Sequence, residues 1–182
     1  MVGFFVALLI ALVGWGLFWL TTRDEPRAEP DPSTGGEPGD GIRLTDEEAI
    51  ARIENLTAMT IDAIRNRDSS LISRAFVTGS SLARDIKLSI RRLKQDGVVE
   101  QSRVRTLSWE VVSNTASEIR VRQTRITRFC FMSEGGKDVS QGPAAVREVG
   151  VWIMNWQSDE WLIDGNVGES ERVVDESAAR CP

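Results

Sequence analysis

The first twenty residues of the chain, MVGFFVALLIALVGWGLFWL, contain no charged side chain. A helix from Val2 to Leu20 would be about 28 Å long, close to the roughly 30 Å hydrocarbon core of a bilayer. No Lys or Arg precedes this apolar run and no Ala-x-Ala site follows it, which is unlike a cleaved signal peptide. The sequence therefore predicts a transmembrane anchor over residues 1–20 that ties the protein to membrane lipid.

The composition changes abruptly after the apolar run. Residues 21–43 hold four of the six prolines in the chain, together with several glycines and acidic residues. Such a segment cannot fill a hydrophobic core, so we expect a disordered, partly extended linker. The remainder is long enough for one domain with its own core, which we place at residues 44–167. A polar C-terminal tail is predicted over residues 168–182.

The sequence features that bear on the orientation in the membrane disagree with one another. Arg23 and Arg27 follow the span and nothing basic precedes it, which by the positive-inside rule places the domain in the cytoplasm. The long linker, the acidic domain and the two cysteines favour the outside, where disulfides persist. We expect a single-pass protein of the cell membrane with an extracytoplasmic C-terminal domain, and the cytoplasmic orientation remains the alternative.

Several classes of chemistry find no support in the composition. The chain has no histidine, which excludes His-based nucleophilic triads, His zinc ligands and His-ligated haem. Its net charge of −5 is unlike that of a general nucleic-acid binder. Two cysteines cannot form a four-cysteine metal site, and no glycine-rich phosphate-binding motif is present. We expect no metal, cofactor or nucleic-acid partner, and no catalytic residue.

The residue pattern of the domain predicts helices followed by strands. Thr45 and Glu48 have the spacing of a capping box, and apolar residues at helical spacing continue to about Arg67. A short helix follows, and then a third with Ile86, Ile90 and Leu93 on its apolar face. After Val104 the apolar period changes to two, which predicts strands near 104–111, 118–132, 146–156 and 161–165. This order predicts an α+β fold with three helices packed on a curved antiparallel sheet.

Two stretches of this pattern resemble a known fold. One is residues 76–82 followed by a helix that ends at 93–97, and the other is residues 152–156 with 160–165. Together they resemble the nuclear transport factor 2-like cone, in the form used by small single-pass membrane proteins. The Thr78-Gly79 part resembles the intermembrane-space domain of the chloroplast and cyanobacterial division protein family. Mce-associated membrane proteins and type IV secretion assembly factors also combine an anchor with such a domain.

The resemblance implies a docking or scaffold role and provides no catalytic residue. We therefore expect a non-enzymatic, membrane-anchored interaction subunit of a bacterial membrane assembly, with other membrane proteins as partners. The alternative is a binding module for a small hydrophobic or anionic ligand in the cone pocket. A third possibility is an enzyme that uses the cone as its active site.

The predicted strand over 118–132 has polar residues where core residues are expected. Gln123, Arg125 and Thr127 share the parity of Ile119 and Val121, so they are the candidate ligand pocket, with Arg125 pairing an anion. A β-bulge near Gln123 would instead turn Arg125 outward. The bulge is the favoured interpretation, and the pocket is kept as a candidate site.

Two further sets of residues are candidates for a partner surface. The basic set consists of Arg120, Arg122 and Arg128. Together with Arg103 and Arg105, it would face acidic lipid or an acidic partner, or it would be a solvated face paired with Glu110 and Glu118. The aromatic set consists of Trp152 and Trp156, which would be either core or an exposed partner surface.

The two cysteines of the chain, Cys130 and Cys181, are candidates for a disulfide. Cys130 lies in the predicted sheet, and Cys181 lies in a polar tail with little apolar content to hold it in place. The alternative is a small buried thiol at Cys130 and a free thiol at Cys181.

Overall fold

The computed structural model describes residues 43–140 and 145–174. The predicted anchor, almost all of the predicted linker and Cys181 lie outside these residues. Within 43–140 and 145–174, no helix is both long enough and apolar enough to cross a bilayer.

Helix α1 spans Asp46–Arg65 and begins with the predicted capping box. The Thr45 hydroxyl accepts a hydrogen bond from the Glu48 amide at 3.2 Å, and the Glu48 carboxylate accepts one from the Thr45 amide at 2.7 Å. Two of the amides left without helical partners at the N-terminus are thereby satisfied. The buried face of α1 includes Ala49, Ile53, Leu56 and Ala63.

Two shorter helices follow, α2 over Ile72–Ala75 and α3 over Ser81–Gln95. The Ser80 hydroxyl caps α3 by accepting a hydrogen bond from the Ala83 amide at 3.3 Å. Gly97 has a φ of 62°, the left-handed conformation predicted for the residue that follows this helix. Ile86 and Ile90 of α3 share one buried core with Ile119 and Val121 of the sheet, as the spacing of its apolar residues predicted.

The main sheet has four antiparallel strands, in the order β2-β3-β5-β6. These strands are β2 Arg103–Asn114, β3 Glu118–Arg128, β5 Ala145–Gln157 and β6 Glu160–Val173. A separate two-stranded sheet pairs β1, Val98–Glu100, with β4, Phe131–Ser133. Helices and a curved antiparallel sheet that share one core form the predicted α+β arrangement.

Two predicted strand boundaries are wrong. The strand expected over 118–132 is interrupted: β3 ends at Arg128, and the chain after Cys130 pairs with β1. The last strand continues to Val173, which pairs with Val146, so the boundary expected at 167 is also wrong. Residues 168–173 are mostly exposed and carry no apolar alternation, which is why their pairing was not visible in the sequence pattern.

The bulge expected near Gln123 is also absent from β3. That strand pairs with β5 without interruption from Glu118 to Arg128. The irregularities lie on the neighbouring strand β2, between Thr106 and Ser108 and between Val111 and Ser113. Because β3 keeps its alternation, its polar residues at 123, 125 and 127 stay on the same face as buried Val121.

Candidate functional site

A cavity of about 230 Å³ lies between the helices and the face of the sheet that they cover. Helices α1 and α3 form one wall, and strands β2 to β5 form most of the other. The walls are mainly apolar, with a small number of polar groups, which is the usual character of a small-molecule site. The apolar lining consists of Ile61, Ile64, Leu82, Ile86, Leu93, Val104, Phe129, Phe131 and Trp152.

The polar part of the wall is organised around Glu148. Its Oε2 atom accepts a hydrogen bond from Arg125 Nε at 2.9 Å and one from the Thr127 hydroxyl at 2.6 Å. The side chains of Arg125 and Glu148 are only 28% and 14% exposed. An ion pair shielded to this degree, with a second hydrogen bond on the same oxygen, holds the guanidinium in a fixed orientation.

Arg125 has N–H donors that Glu148 does not engage. A guanidinium carries five N–H groups, and only Nε is engaged by Glu148. In the described part of the chain, no acceptor bonds either Nη atom, and neither is among the buried polar atoms that lack a partner. The guanidinium carbon also lies 5.8 Å from the centre of the Trp152 ring, within range of a cation–π contact. The two Nη groups therefore keep some accessible surface, on a side chain that lines the cavity.

Gln123 has a supporting position rather than one in the main wall. Its Nε2 donates to the Thr106 hydroxyl at 2.9 Å, and its Oε1 accepts from the Trp152 indole at 2.9 Å. Both ends of the buried amide are therefore occupied by the protein. Gln123 lines a small recess beside the cavity and fixes the orientation of the Trp152 ring.

Two further carboxyls are perturbed near the cavity. Burial raises the pKa of Glu100, an effect that the Ser102 hydroxyl and Arg65 oppose. Glu100 lines the cavity, so its side chain is surrounded by protein yet keeps some accessible surface on the cavity side. Desolvation and then the negative charge of Glu148 raise the pKa of Glu171, whose position pairs with Glu148 across the strands.

The raised pKa of Glu100 leads to a test by substitution. A folded-state pKa above the ordinary value of 4.5 means that the folded protein binds this proton more tightly than the unfolded chain. The resulting stabilisation is present below pH 4.5 and is lost as the pH rises through the raised pKa. Glu100→Gln should therefore gain stability relative to the wild type as the pH rises through this window. Urea unfolding of the full-length chain between pH 4 and roughly pH 8, followed by tryptophan fluorescence, measures this.

Asp138→Asn provides the control for that experiment, because hydrogen bonds from Ser140 lower the pKa of this carboxyl, so its removal should give no such gain in stability as the pH rises. If the wild type and Glu100→Gln change in stability equally with pH, Glu100 is not the perturbed group.

The arginines proposed as a partner surface lie on the opposite face of the sheet. Arg120 Nε contacts a Glu118 oxygen at 2.7 Å, and Arg122 contacts Glu110 and Glu169, each at 2.8 Å. These two carboxylates raise the pKa of Arg122, with Glu169 contributing most. Arg128 also has an interaction partner. The alternative of a solvated, ion-paired face therefore describes Arg120 and Arg122 correctly.

The two tryptophans proposed as a partner surface belong largely to the interior. Trp152 is buried and forms part of the cavity wall, so its ring is not exposed to a partner. Trp156 is half-buried, and its ring packs edge-on against Trp161 with centroids 5.6 Å apart. Of the two interpretations, core or exposed partner surface, the position of these rings agrees with the core.

Cys130 is completely buried and is not a free thiol. Its amide donates a hydrogen bond to the Ser102 hydroxyl at 3.2 Å, next to the cavity. The predicted partner Cys181 lies outside the described residues, so the pairing stays a prediction.

Sequence reasoning missed most of the polar residues that line the cavity, among them Glu148, Glu100 and Arg65. Glu148 lies directly opposite Arg125 in the β3–β5 pairing. The sequence shows an acidic residue on the next long strand, but placing it opposite Arg125 requires the pairing register of β3 and β5, which the sequence does not give. Glu100 lies in a three-residue strand too short to show a period.

Comparison with known proteins supports the fold. No protein-family model and no curated protein matches the chain. Among solved structures, the intermembrane space region of chloroplast protein ARC6 is similar, with a TM-score of 0.54 and 12% identity over 69% of this chain and 97% of that one. Aln2 from a Streptomyces species gives a TM-score of 0.49 and 14% identity, over 70% of this chain and 93% of that one.

A third similar structure is a designed nuclear transport factor 2-like protein, with a TM-score of 0.38 and 14% identity over 68% of this chain and 100% of that one. At these identities a likeness concerns the fold alone, and it is the ARC6 region that carries it. The described residues of this chain form an α+β domain of the nuclear transport factor 2-like type, with a curved antiparallel sheet covered by helices.

Proposed function

We propose that this domain is a binding module that holds a small, mainly apolar molecule carrying one anionic group. The observation that supports this is the state of Arg125, which lines an apolar cavity and whose Nε is held by Glu148, while no acceptor among the described residues bonds either Nη. A paired set of N–H donors held in one plane matches a carboxylate, which accepts two parallel hydrogen bonds. Apolar walls around such a donor pair suit the rest of a small organic acid.

The volume limits the size of the ligand. A cavity of about 150 Å³ in another protein binds benzene. At the same cavity volume per non-hydrogen atom, a cavity of about 230 Å³ holds on the order of nine such atoms. A substituted benzoate or a short branched fatty acid is of this size.

The charges of the wall are compatible with one bound anion. Arg65 and Arg125 line the cavity together with Glu100 and Glu148. Burial favours the uncharged form of Glu100 by raising its pKa. Arg65 is paired with Asp62 at 3.9 Å, so Arg125 is the cation that would contact a bound anion, and an uncharged Glu100 would not repel that anion.

The proposal assigns binding rather than catalysis to the cavity. Glu148 accepts hydrogen bonds from both Arg125 and Thr127, which gives it the role of holding these two side chains in the wall. The proposal also includes the predicted anchor over residues 1–20, which would hold the module at the membrane with its cavity outside the cytoplasm.

An interaction subunit of a membrane assembly is the second candidate function. It is favoured by the large apolar side chains that the sheet exposes, Leu107, Val112 and Val167. Leu107 and Val112 lie at the two irregularities of β2, which is an edge strand. Exposed apolar groups on a sheet edge favour contact with another protein.

Fluorine NMR of 4-fluorobenzoate with the full-length chain in lipid nanodiscs tests the cavity proposal. The probe has one carboxylate and is close to the estimated size limit. We expect its resonance to broaden with the wild type and to stay sharp with Val104→Phe, because Val104 lines the cavity and a larger ring there occupies it. Val112→Phe is the matched control, since Val112 is exposed on the same strand.

Equal broadening by Val104→Phe and Val112→Phe would mean that the probe binds elsewhere, in lipid or on the protein surface. That result would contradict the cavity proposal and would leave the interaction subunit as the better candidate.

A further inference from the structure

A second concave site lies on the outer side of α3 and shares no lining residue with the cavity. It is a groove of about 420 Å³ between α2, the segment 76–80 and α3. Its floor includes the buried side chains of Ile72, Phe76 and Ala83. Its rim carries three cations from one face of α3, Arg84, Lys87 and Arg91.

The rim cations have no acidic partners within residues 43–140 and 145–174. Among the residues that the structure describes, no carboxylate lies within 4.0 Å of any of the three. Lys87 donates a hydrogen bond to the Ser73 hydroxyl at 2.9 Å, which leaves its charge uncompensated. The sheet differs in this respect, since Arg120 and Arg122 are both paired with glutamates.

Helix stability does not explain this arrangement. Lys87 is three residues from Arg84 and four from Arg91, and like charges at these spacings repel one another. Arg84 lies close to the N-terminus of α3, where the helix dipole disfavours a cation, and the first turn holds no acidic residue. Leu88 is exposed between the cations. On a chain of net charge −5, this concentration of positive charge beside an apolar floor points to a ligand.

We propose that this groove binds an acidic segment of another polypeptide, with one apolar side chain of that segment inserted between the cations. Carboxylates of the segment would pair with Arg84, Lys87 and Arg91, and its apolar side chain would cover half-buried Val77 and exposed Leu88. The recessed shape favours a polypeptide over a lipid surface, because a bilayer is flat on this scale and does not fill a groove. This inference is independent of the cavity, so either one can fail alone.

The test uses the full-length chain in nanodiscs of uncharged lipid and a fluorescent twelve-residue peptide of alternating Glu and Leu. We expect the double variant R84E/R91E to weaken binding at least tenfold, as measured by fluorescence anisotropy. R92E/K94E is the matched control, because it reverses the same number of charges at two exposed cations of the same helix that do not line the groove. Binding to the control should stay within twofold of the wild type.

Lysine acetylation read by mass spectrometry locates the bound peptide. We expect the peptide to protect Lys87, which lines the groove, and to leave exposed Lys94 reactive. Equal weakening by R84E/R91E and by R92E/K94E would overturn the proposal in favour of unspecific charge attraction. Protection of Lys87 by nanodiscs of anionic lipid without peptide would overturn it in favour of a membrane contact.

Discussion

Replacing Ile90 by aspartate is expected to unfold the domain. Ile90 is 1% exposed and lies in the core that α3 shares with the sheet. The substitution removes a buried apolar side chain and places an unpaired charge in its position, for a combined loss of at least about 5 kcal/mol. That is comparable to the whole stability of many domains of this size. Circular dichroism and urea unfolding of the full-length chain measure the loss.

Leu88→Asp is the matched control for this prediction. Leu88 is two residues away on the same helix and is 40% exposed, so the same substitution should change the stability by about 0.5 kcal/mol or less. A cooperatively folding Ile90→Asp variant as stable as Leu88→Asp would show that α3 does not pack on the sheet through this face.

The second large effect is expected from the predicted bond between Cys130 and Cys181. In the chain-entropy account, closing a loop of about 50 residues stabilises a protein by roughly 4 kcal/mol. We expect Cys181→Ser to lose about this amount and reduction of the wild type to lose a similar amount. Urea unfolding with and without reductant measures both.

Cys130→Ala is the control, because it removes the same bond and leaves only a small gap in the core. If the bond exists, combining Cys130→Ala with Cys181→Ser should cost little more than either change alone. Mass spectrometry of non-reduced peptides, with thiols alkylated before lysis, identifies the pairing directly. Two freely alkylated thiols would contradict it.

The helices could be predicted from the sequence because the residues that define their ends and buried faces are close together in the chain. Thr45 and Glu48 define a helix start within four residues, and Gly97 marks a helix end by its backbone conformation alone. The spacing of Ile86 and Ile90 reports a buried face without reference to any other element. None of these inferences requires the position of a distant strand.

The sheet was read less completely because its pairings are distant in sequence. Strands β1 and β4 have three residues each, too few to establish an alternation. The end of β6 pairs through its backbone while its side chains remain exposed, so apolar periodicity stops before the strand does. Polar residues in β3 suggested a bulge because their partners, above all Glu148, come from another strand.

The central claim is that Arg125 selects an anionic group inside the cavity, and one comparison of dissociation constants tests it. 4-Fluorobenzoate and 4-fluorobenzamide have nearly the same shape, but the benzamide is uncharged and has an N–H donor group in place of one acceptor oxygen, so the ratio of their dissociation constants measures recognition of the carboxylate. Titrations of the wild-type chain are expected to favour the benzoate by about tenfold or more, the usual gain from hydrogen bonds to a charged group. The double variant R125Q/E148Q removes both charges of the pair together and should bind the two probes equally. A wild-type ratio near one, or an unchanged ratio in R125Q/E148Q, would contradict the claim.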